Sequence, residues 1–294
     1  MRHRKDFSIS FEIFPANTLA GFRKLSEICK NLNNLRPNFI SVTFGAAGAA
    51  QTKTIRTVRQ LKYLHIPTAP HISCVNMTTS RLVEILNFYQ QSGIKRLVVI
   101  RGDHPTGESS TTPEFLYAYD LIQAIRKHSG DHFHIEIAAY PEFHPQSFSC
   151  DEDLLHFKRK VEAGASSAIT QFFFNSDAYS RFRDACYKQG ITIPIIPGIM
   201  PINDYQRLLR ISKSCGAEIP LWLNKRLESL SNDAHSLQLF GTEVILDLCK
   251  KLISEGAEGL HFYTLNQLNP AEHIYKTLFM ESTQAELLNF PVFV

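Results

Sequence analysis

At 294 residues, the chain has the length of one closed α/β barrel, a fold that needs roughly 250 residues. Its composition, 44% hydrophobic and 20% charged, is that of an ordinary soluble globular protein. The formal net charge is +3 with acids and bases mixed throughout, which leaves no basic stripe for nucleic acid and no polybasic tail for a membrane surface.

The one basic cluster, Met1-Arg2-His3-Arg4-Lys5, has the look of a signal-peptide start. Asp6 follows it, and Ser8, Ser10 and Glu12 interrupt the next apolar stretch, so no export signal is read. No run of about 20 apolar residues is present to span a bilayer. Cys29, Cys74, Cys150, Cys186, Cys215 and Cys249 are scattered, with no C-x-x-C pair. That usage fits a reducing cytoplasm and neither a disulfide frame nor a zinc site.

Along the chain, short runs rich in β-branched and aromatic residues alternate with amphipathic stretches. The spacing predicts strands at Ile9–Phe14, Phe39–Thr43, Ala69–Cys74, Arg96–Ile100, His134–Ala139, Ala168–Phe173, Ile193–Ile196 and Gly259–Phe262. Helices are predicted near 19–34, 54–64, 79–92, 114–128, 151–164, 176–189, 203–214, 235–255 and 271–280. Gly93, Gly164, Gly190 and Gly256 fall where helices should end. Thr78 or Thr79, Asp151 and Asn203 fall where N-caps belong. Strict β-then-α alternation implies a parallel sheet with right-handed crossovers. Eight units imply an α/β, (β/α)8 TIM-type barrel, with a doubly wound open sheet as the alternative. Residues 1–294 read as a single catalytic barrel, with an insertion near 215–234.

Barrel chemistry sits at the C-terminal ends of the strands. Those ends carry Glu12, Thr43, His71, Arg101-Gly102-Asp103, Tyr140-Pro141-Glu142, Gln171, Pro197-Gly198 and Tyr263-Thr264-Leu265-Asn266. Glu12 among phenylalanines is either an internal ion-pair partner or a general acid whose pKa desolvation raises. His71 is either a satisfied interior histidine or part of a site, and Arg101 with Asp103 either an internal pair or ligand contacts. Asp153, His156, Arg159 and Lys160 share a helix that is either a solvated charged face or a pyrophosphate clamp. No Rossmann, P-loop, zincin or nucleophile-elbow motif occurs.

Taken together, the strand-end segments resemble the methylenetetrahydrofolate reductase family. The resemblance rests on Ser10-Phe-Glu-Ile-Phe-Pro15, Ser41-Val-Thr-Phe-Gly-Ala46, Pro70-His-Ile-Ser-Cys74, Arg101-Gly-Asp-His-Pro105, Ala138-Ala-Tyr-Pro-Glu142, Lys158-Arg-Lys-Val-Glu-Ala-Gly164, Ile169-Thr-Gln-Phe-Phe-Phe174, Pro197-Gly-Ile-Met-Pro201 and His261-Phe-Tyr-Thr-Leu-Asn266, in the family's order. The length is similar to that of the short bacterial type, a catalytic barrel alone.

That resemblance implies non-covalent FAD, a ping-pong cycle with NADH or NADPH, and reduction of 5,10-methylenetetrahydrofolate to the 5-methyl form, supplying methyl groups for methionine synthesis. It makes Glu12 the general acid and Asp103 the carboxylate beside flavin and folate. It places Thr43, Phe44, Ala46, His71, Arg101, Gly102, Asp103, Tyr117, Ala118, Tyr140, His144, Ser147, Asp153, His156, Arg159 and Lys160 around FAD. Glu12, Thr43, Asp103, Gln171, Arg207 and Gln267 fall to the folate or nicotinamide. The chain departs from the family at His156, usually Asn, at Lys53-Thr54, usually Arg-Thr, and at Arg207 and Gln267, where a glutamine and an arginine are expected; the last two touch the folate's tail. On the residues alone, another flavin-dependent barrel oxidoreductase and a redox-inactive folate-binding barrel also stay open. A homo-oligomer stays open too, since an exposed helix face and a subunit contact share one residue pattern.

Overall fold

The computed structural model describes residues 7–44, 48–102 and 113–281, with the side chains of 48–50 and 281 left aside. Ala46, Asp103 and the Met1–Lys5 cluster therefore lie outside the described residues.

Strands β1 (Ser8–Ile13), β2 (Phe39–Val42), β3 (Thr68–Ser73), β4 (Arg96–Ile100), β5 (His134–Ala139), β6 (Ser167–Thr170), β7 (Ile195–Ile196), β8 (Gly198–Ile199) and β9 (Gly259–Tyr263) form one parallel sheet. Its order is β7-β6-β5-β4-β3-β2-β1-β9-β8. Because β7 and β8 are two halves of one stave, broken at Pro197, this order describes a ring. Ile195 and Ile196 pair with β6, while Gly198 and Ile199 pair with β9. A proline supplies no amide hydrogen for the ladder, so the stave shifts partners there: the Pro197 carbonyl accepts the His261 N–H (3.0 Å) and the Gly198 N–H donates to Thr170 Oγ1 (2.9 Å). The fold is the expected (β/α)8 TIM-type barrel.

Around it lie α1 (Leu19–Asn34), α2 (Gly48–Tyr63), α3 (Thr79–Gln91), α4 (Ala118–Ser129), α5 (Cys150–Glu162), α6 (Ser176–Lys188), α7 (Tyr205–Cys215), α8 (Leu221–Ser229), α9 (Ala234–Ser254) and α10 (Ala271–Lys276), the last running into a π-helical turn at 277–281. The four glycines expected to end helices all have positive φ, from 68° to 109°. Two caps differ from expectation. Ser149, not Asp151, caps α5 through Oγ to the Glu152 N–H (3.2 Å), which leaves Asp151, Glu152 and Asp153 in the first turn where the helix dipole favours acids. Asp204, not Asn203, caps α7 by accepting from the Arg207 N–H (2.8 Å). α4 starts at Ala118 rather than 114, once the Asp120 carboxylate accepts the Tyr117 N–H (2.9 Å). The sequence reading contains no counterpart of α8. No helix among the described residues is long and apolar enough to cross a membrane.

The apolar residues divide by strand parity. Phe11, Ile13, Ile40, Val42, Ile72, Leu97, Val99, Ile135 and Ile137 are fully buried in the main core, which they share with residues of the surrounding helices such as Leu32, Leu86, Leu121 and Leu252. Phe39, Ala69, Val98 and Ile169, joined by Ile100 and Tyr263, form a second cluster from the opposite strand faces, inside the ring.

Below that inner cluster, at the strand starts, Glu136 is buried and ion-paired with Arg96, accepts from Ser167 Oγ at 2.5 Å, and lies 3.4 Å from His134 Nε2. Burial pushes its carboxyl up, but the His134 hydrogen bond, Arg96 and Ser167 together hold it below the ordinary value. A carboxyl depressed on folding stabilises the protein above its unfolded pKa, and that contribution is lost as pH falls through the folded value. Removing one partner of a buried pair costs about 3–5 kcal/mol. Arg96→Met is therefore expected to cost about 3 kcal/mol at pH 7 in urea unfolding, with the deficit shrinking as pH falls below the carboxylate range. A deficit independent of pH would show that Glu136 is not the group involved.

Candidate active site

The C-terminal ends of the staves carry two adjoining arrangements. The first is built on β1, β3 and β9. Period-two alternation puts Ser10 and Glu12 on one face of β1, and His261 and Tyr263 on one face of β9. The strands are in register so that Ser10 pairs with His261 and Glu12 with Tyr263. Glu12 Oε2 lies 3.4 Å from His71 Nε2 and 3.6 Å from His261 Nε2. Both histidines are buried, whereas the Glu12 side chain keeps 22% exposure at the mouth. His261 Nδ1 is 2.7 Å from Ser10 Oγ.

Burial pushes the Glu12 carboxyl up, yet the imidazole of His261, 3.6 Å away, and the electrostatic pull of His71 together outweigh it, so the group sits below its ordinary value. This reverses the expectation of a raised pKa. Phe11 and Ile13 point the other way, into the main core, and what faces the carboxyl is a pair of imidazoles. His71 is pushed down by burial, opposed by Glu12 and reinforced by His261. Tyr263, whose hydroxyl donates to the Thr170 carbonyl (2.7 Å), is raised well above its ordinary value by burial first and then by Glu12.

The loop after β9 holds the mouth together. Thr264 Oγ1 donates to the Glu12 carbonyl (2.6 Å), and Asn266 makes two bonds to Phe14, accepting from its N–H (2.9 Å) and donating to its carbonyl (2.8 Å). Leu265 and Asn266 take left-handed φ values of 52° and 57°, which an asparagine tolerates better than most residues. Asn266 thus fixes the backbone two residues after the acid.

The second arrangement is a cleft of about 330 Å³ between the ends of β4 and β5 and the starts of α4 and α5. Of the expected FAD positions it is lined by Arg101, Gly102, Tyr117, Ala118, Tyr140, His144, Ser147, Asp153, His156 and Lys160. Gly102 has φ +79°, and a Cβ there would lie 2.1 Å from Ser73 Oγ; only glycine lets the backbone pass here. Tyr117 stacks on Tyr119 (5.1 Å, 10°) and on His156 (5.3 Å, 22°), while Tyr140 meets His144 edge-on at 4.6 Å. Asp153 accepts from the His144 N–H (3.2 Å) and from Ser147 Oγ (3.4 Å), pinning the loop before α5. Lys160 Nζ donates to the Ala138 carbonyl (2.6 Å), and burial pushes the amine down to about 8, with Asp153 opposing and Arg101 reinforcing.

Other expected positions fall elsewhere. His71 faces Glu12 rather than the cleft, and Arg159 rests over the Tyr119 ring at 6.0 Å without lining it. Thr43 and Phe44 follow β2 at the same mouth, where the Thr43 carbonyl accepts from Thr54 Oγ1 (2.9 Å). Gln171 follows β6, its side-chain oxygen accepting from the Phe172 N–H (3.0 Å). Arg207 lies in the first turn of α7, and Gln267 bonds to Asn203 just before that helix. Asp103 and Ala46 lie outside the described residues. The sequence reading leaves Ser10, His261, Tyr119 and Phe148 without a role. For the first two a signal exists: each lies on the same strand face as a residue the reading does place at the mouth, Ser10 with Glu12 and His261 with Tyr263. For Tyr119 and Phe148 the signal would be aromatic residues beside a helix start.

A parallel barrel with a Glu–His cluster and a ring-lined cleft at its C-terminal mouth is the frame of a (β/α)8-barrel enzyme. The family model described as methylenetetrahydrofolate reductase matches residues 1–279. The 5,10-methylenetetrahydrofolate reductase of Buchnera aphidicola subsp. Baizongia pistaciae is 41% identical over 273 residues, spanning 92% of this chain and 91% of that one. A probable methylenetetrahydrofolate reductase (NADH) of rice, Oryza sativa subsp. japonica, is 34% identical over 92% of this chain and 48% of its own length. Among solved structures, an uncharacterized Clostridium thermocellum protein that binds two copies of 5-methyl-5,6,7,8-tetrahydrofolic acid superposes with a TM-score of 0.64. It is 18% identical, with 96% of this chain and 97% of that one covered, which shows shared fold. The chain belongs to the methylenetetrahydrofolate reductase family and is an enzyme of that class.

Proposed function

We propose that the protein reduces 5,10-methylenetetrahydrofolate to 5-methyltetrahydrofolate by a ping-pong cycle in which NADH first reduces a non-covalently bound FAD. The observation that carries this reading is the adjacency of the two arrangements: a carboxyl at the mouth, backed by two buried imidazoles, beside a ring-lined cleft containing a half-buried lysine. NADH is preferred over NADPH because the rice relative is named for NADH.

The cleft fits FAD. Stacked Tyr117, Tyr119 and His156 suit a flat heterocycle. Lys160 and Arg101 suit a pyrophosphate. Gly102, whose missing Cβ leaves room for Ser73, lets the chain turn with positive φ at the cleft wall. Bound there, FAD supplies a two-electron carrier between nicotinamide and folate. The protein's own part is to position and to move protons. Opening the bridged folate to an iminium requires protonation of a weakly basic nitrogen, and Glu12 is the donor. Asp103, the residue after Gly102, supplies the negative charge that stabilises the cation so formed. Thr43, Gln171, Arg207 and Gln267 are assigned to the substrate side, with Arg207 and Gln267 meeting the folate's tail. Residues 1–294 are read as one catalytic barrel, with α8 within an insertion.

Stopped-flow spectroscopy tests the cycle. NADH is expected to bleach the flavin absorbance, and methylenetetrahydrofolate to restore it in a separate mixing step. Bleaching without folate-driven recovery would assign the barrel to another oxidoreductase. A protein that takes up no flavin would be a binding module.

Lys160 adds a prediction on affinity. A phosphate raises the pKa of a neighbouring amine, so binding takes up a proton when the free amine titrates near 8. FAD affinity is therefore expected to fall as pH rises above 8. Lys160→Met should weaken FAD about tenfold at pH 7 and flatten that dependence, both read by flavin fluorescence. An unchanged pH profile in the variant would remove Lys160 from the phosphate contact.

A further inference from the structure

The two histidines behind Glu12 have unequal surroundings, and the difference assigns them different work. Both Nε2 atoms are buried without an ordinary hydrogen-bond partner among the described residues, and both aim at Glu12 Oε2. Buried polar atoms are seldom left in that state, and exceptions mark functional positions. His261 has a second anchor, because its Nδ1 sits 2.7 Å from Ser10 Oγ. A serine hydroxyl can donate or accept, so it supports the ring whether Nε2 carries a proton or not. Among the described residues His71 has no such anchor.

From this geometry we propose that His261, oriented by Ser10, is the proton reservoir behind Glu12, so that the acid acts as a Glu12–His261 pair sharing one proton. This rests on the reductase reading and specifies how its acid is charged. His261 is completely buried, with the Phe39 ring 6.2 Å away and Tyr263 edge-on at 5.2 Å. Among the described residues, Glu12, with its 22% exposure, gives the Nε2 proton a route to solvent. The groups facing the pair are His71 on β3, Tyr263 on β9 and Ser10 on β1, with the Arg96 guanidinium 4.7 Å beyond the Phe39 ring. The remaining β9 neighbour, β8, offers Gly198 opposite His261.

The step balances as follows. The pair begins as carboxylate plus imidazolium. The Nε2–H bond breaks as an O–H bond forms on Glu12, and that O–H bond breaks as the folate nitrogen gains its proton. The pair ends as carboxylate plus neutral imidazole, one unit more negative, beside a substrate one unit more positive. The residual charge then favours the iminium. After product leaves, a solvent proton re-enters by way of Glu12. The depressed Glu12 pKa agrees with this order, since a carboxyl held ionised needs a proton kept beside it. His71, pushed down by burial, stays a neutral donor that orients the carboxylate.

The experiment is done on the FAD-loaded full chain. Folate-driven flavin reoxidation is followed against pH in wild type, His261→Gln, Ser10→Ala and Ser10→Thr, and the histidine rings are titrated by NMR in 15N-histidine-labelled protein. Wild-type reoxidation is expected to fall as pH rises and the proton held by the pair is lost. In His261→Gln the rate at pH 7 should drop about a hundredfold, the lower range for a positioned proton donor, with that limb moved by more than one pH unit and the folate KM within about twofold. Ser10→Ala should lose about tenfold, and Ser10→Thr, which keeps the hydroxyl, should recover it. Ser10→Ala also serves if His261→Gln does not fold. A pH limb that stays in place in both variants overturns the proposal, and so does a His261 ring whose protonation does not change between pH 5 and 9. If wild-type flavin is bleached but never recovers with folate, the reductase reading fails instead, and the NMR titration still decides whether the pair shares a proton.

Discussion

Glu12→Gln is expected to abolish folate-driven reoxidation of the flavin while NADH still bleaches it at close to the wild-type rate. The amide keeps the shape of the carboxyl and its contacts with the two imidazoles, but has no proton to give. A positioned proton donor contributes about 10²–10⁴-fold, or roughly 3–5 kcal/mol of barrier, and the whole of this falls on the half-reaction that must open the folate bridge. In the proposed cycle, the half-reaction with NADH is a hydride transfer that asks nothing of Glu12. Single-turnover stopped flow, mixing reduced protein with methylenetetrahydrofolate, reads the first number, and mixing oxidised protein with NADH reads the second. If both half-reactions survive in the variant, the acid lies elsewhere.

The largest effect on stability is expected at Gly198. A Cβ there would lie 2.1 Å from the Thr170 carbonyl oxygen and 2.6 Å from Tyr263 Cε2. Neither neighbour is free to yield. The Thr170 carbonyl accepts the Tyr263 hydroxyl, and Thr170 Oγ1 accepts the Gly198 N–H. All three residues belong to the staves that complete the ring, so relieving the clash means separating β8 from β6 or β9. Overpacking of rigid positions costs about 1–3 kcal/mol, and a clash with backbone stands at or above the top of that range. Gly198→Ala is therefore expected to lose about 3 kcal/mol or more in chemical denaturation. A variant within about 1 kcal/mol of wild type would show that the seventh stave is not held as tightly as these distances require.

Much of the fold is legible in the chain because stave and helix patterns are local. Period-two runs such as Ile9–Phe14 and the helical spacing of Leu82, Ile85, Leu86 and Tyr89 need no knowledge of the rest of the molecule, and both match observed elements. The break at Pro197 was harder to see: Pro197-Gly198 reads as the end of a strand, and its second half is too short for any periodicity. α8 escaped for a related reason, since Leu221–Ser229 follows a proline and spans little more than two turns.

The site divides in the same way. Glu12 stands out as an acid in an apolar strand, and most of the cleft positions implied by the family resemblance do line one cleft. The sign of the Glu12 shift is not legible, because the residues that together outweigh burial, His261 and His71, come from strands remote in the chain and are brought alongside by the barrel. The sequence neighbours of Glu12 are aromatic and apolar, and they turn out to face away from it.

The bonds from Thr264 and Asn266 to Glu12 and Phe14 span 252 positions of the chain. The earliest stave to be synthesised thus has one open edge until nearly the whole polypeptide exists. Exposed edges of that kind invite pairing with other chains, and contacts between such distant segments form late and slowly. A molecule stopped anywhere before residue 259 would hold Glu12 without His261, so the contact between them forms late in biosynthesis.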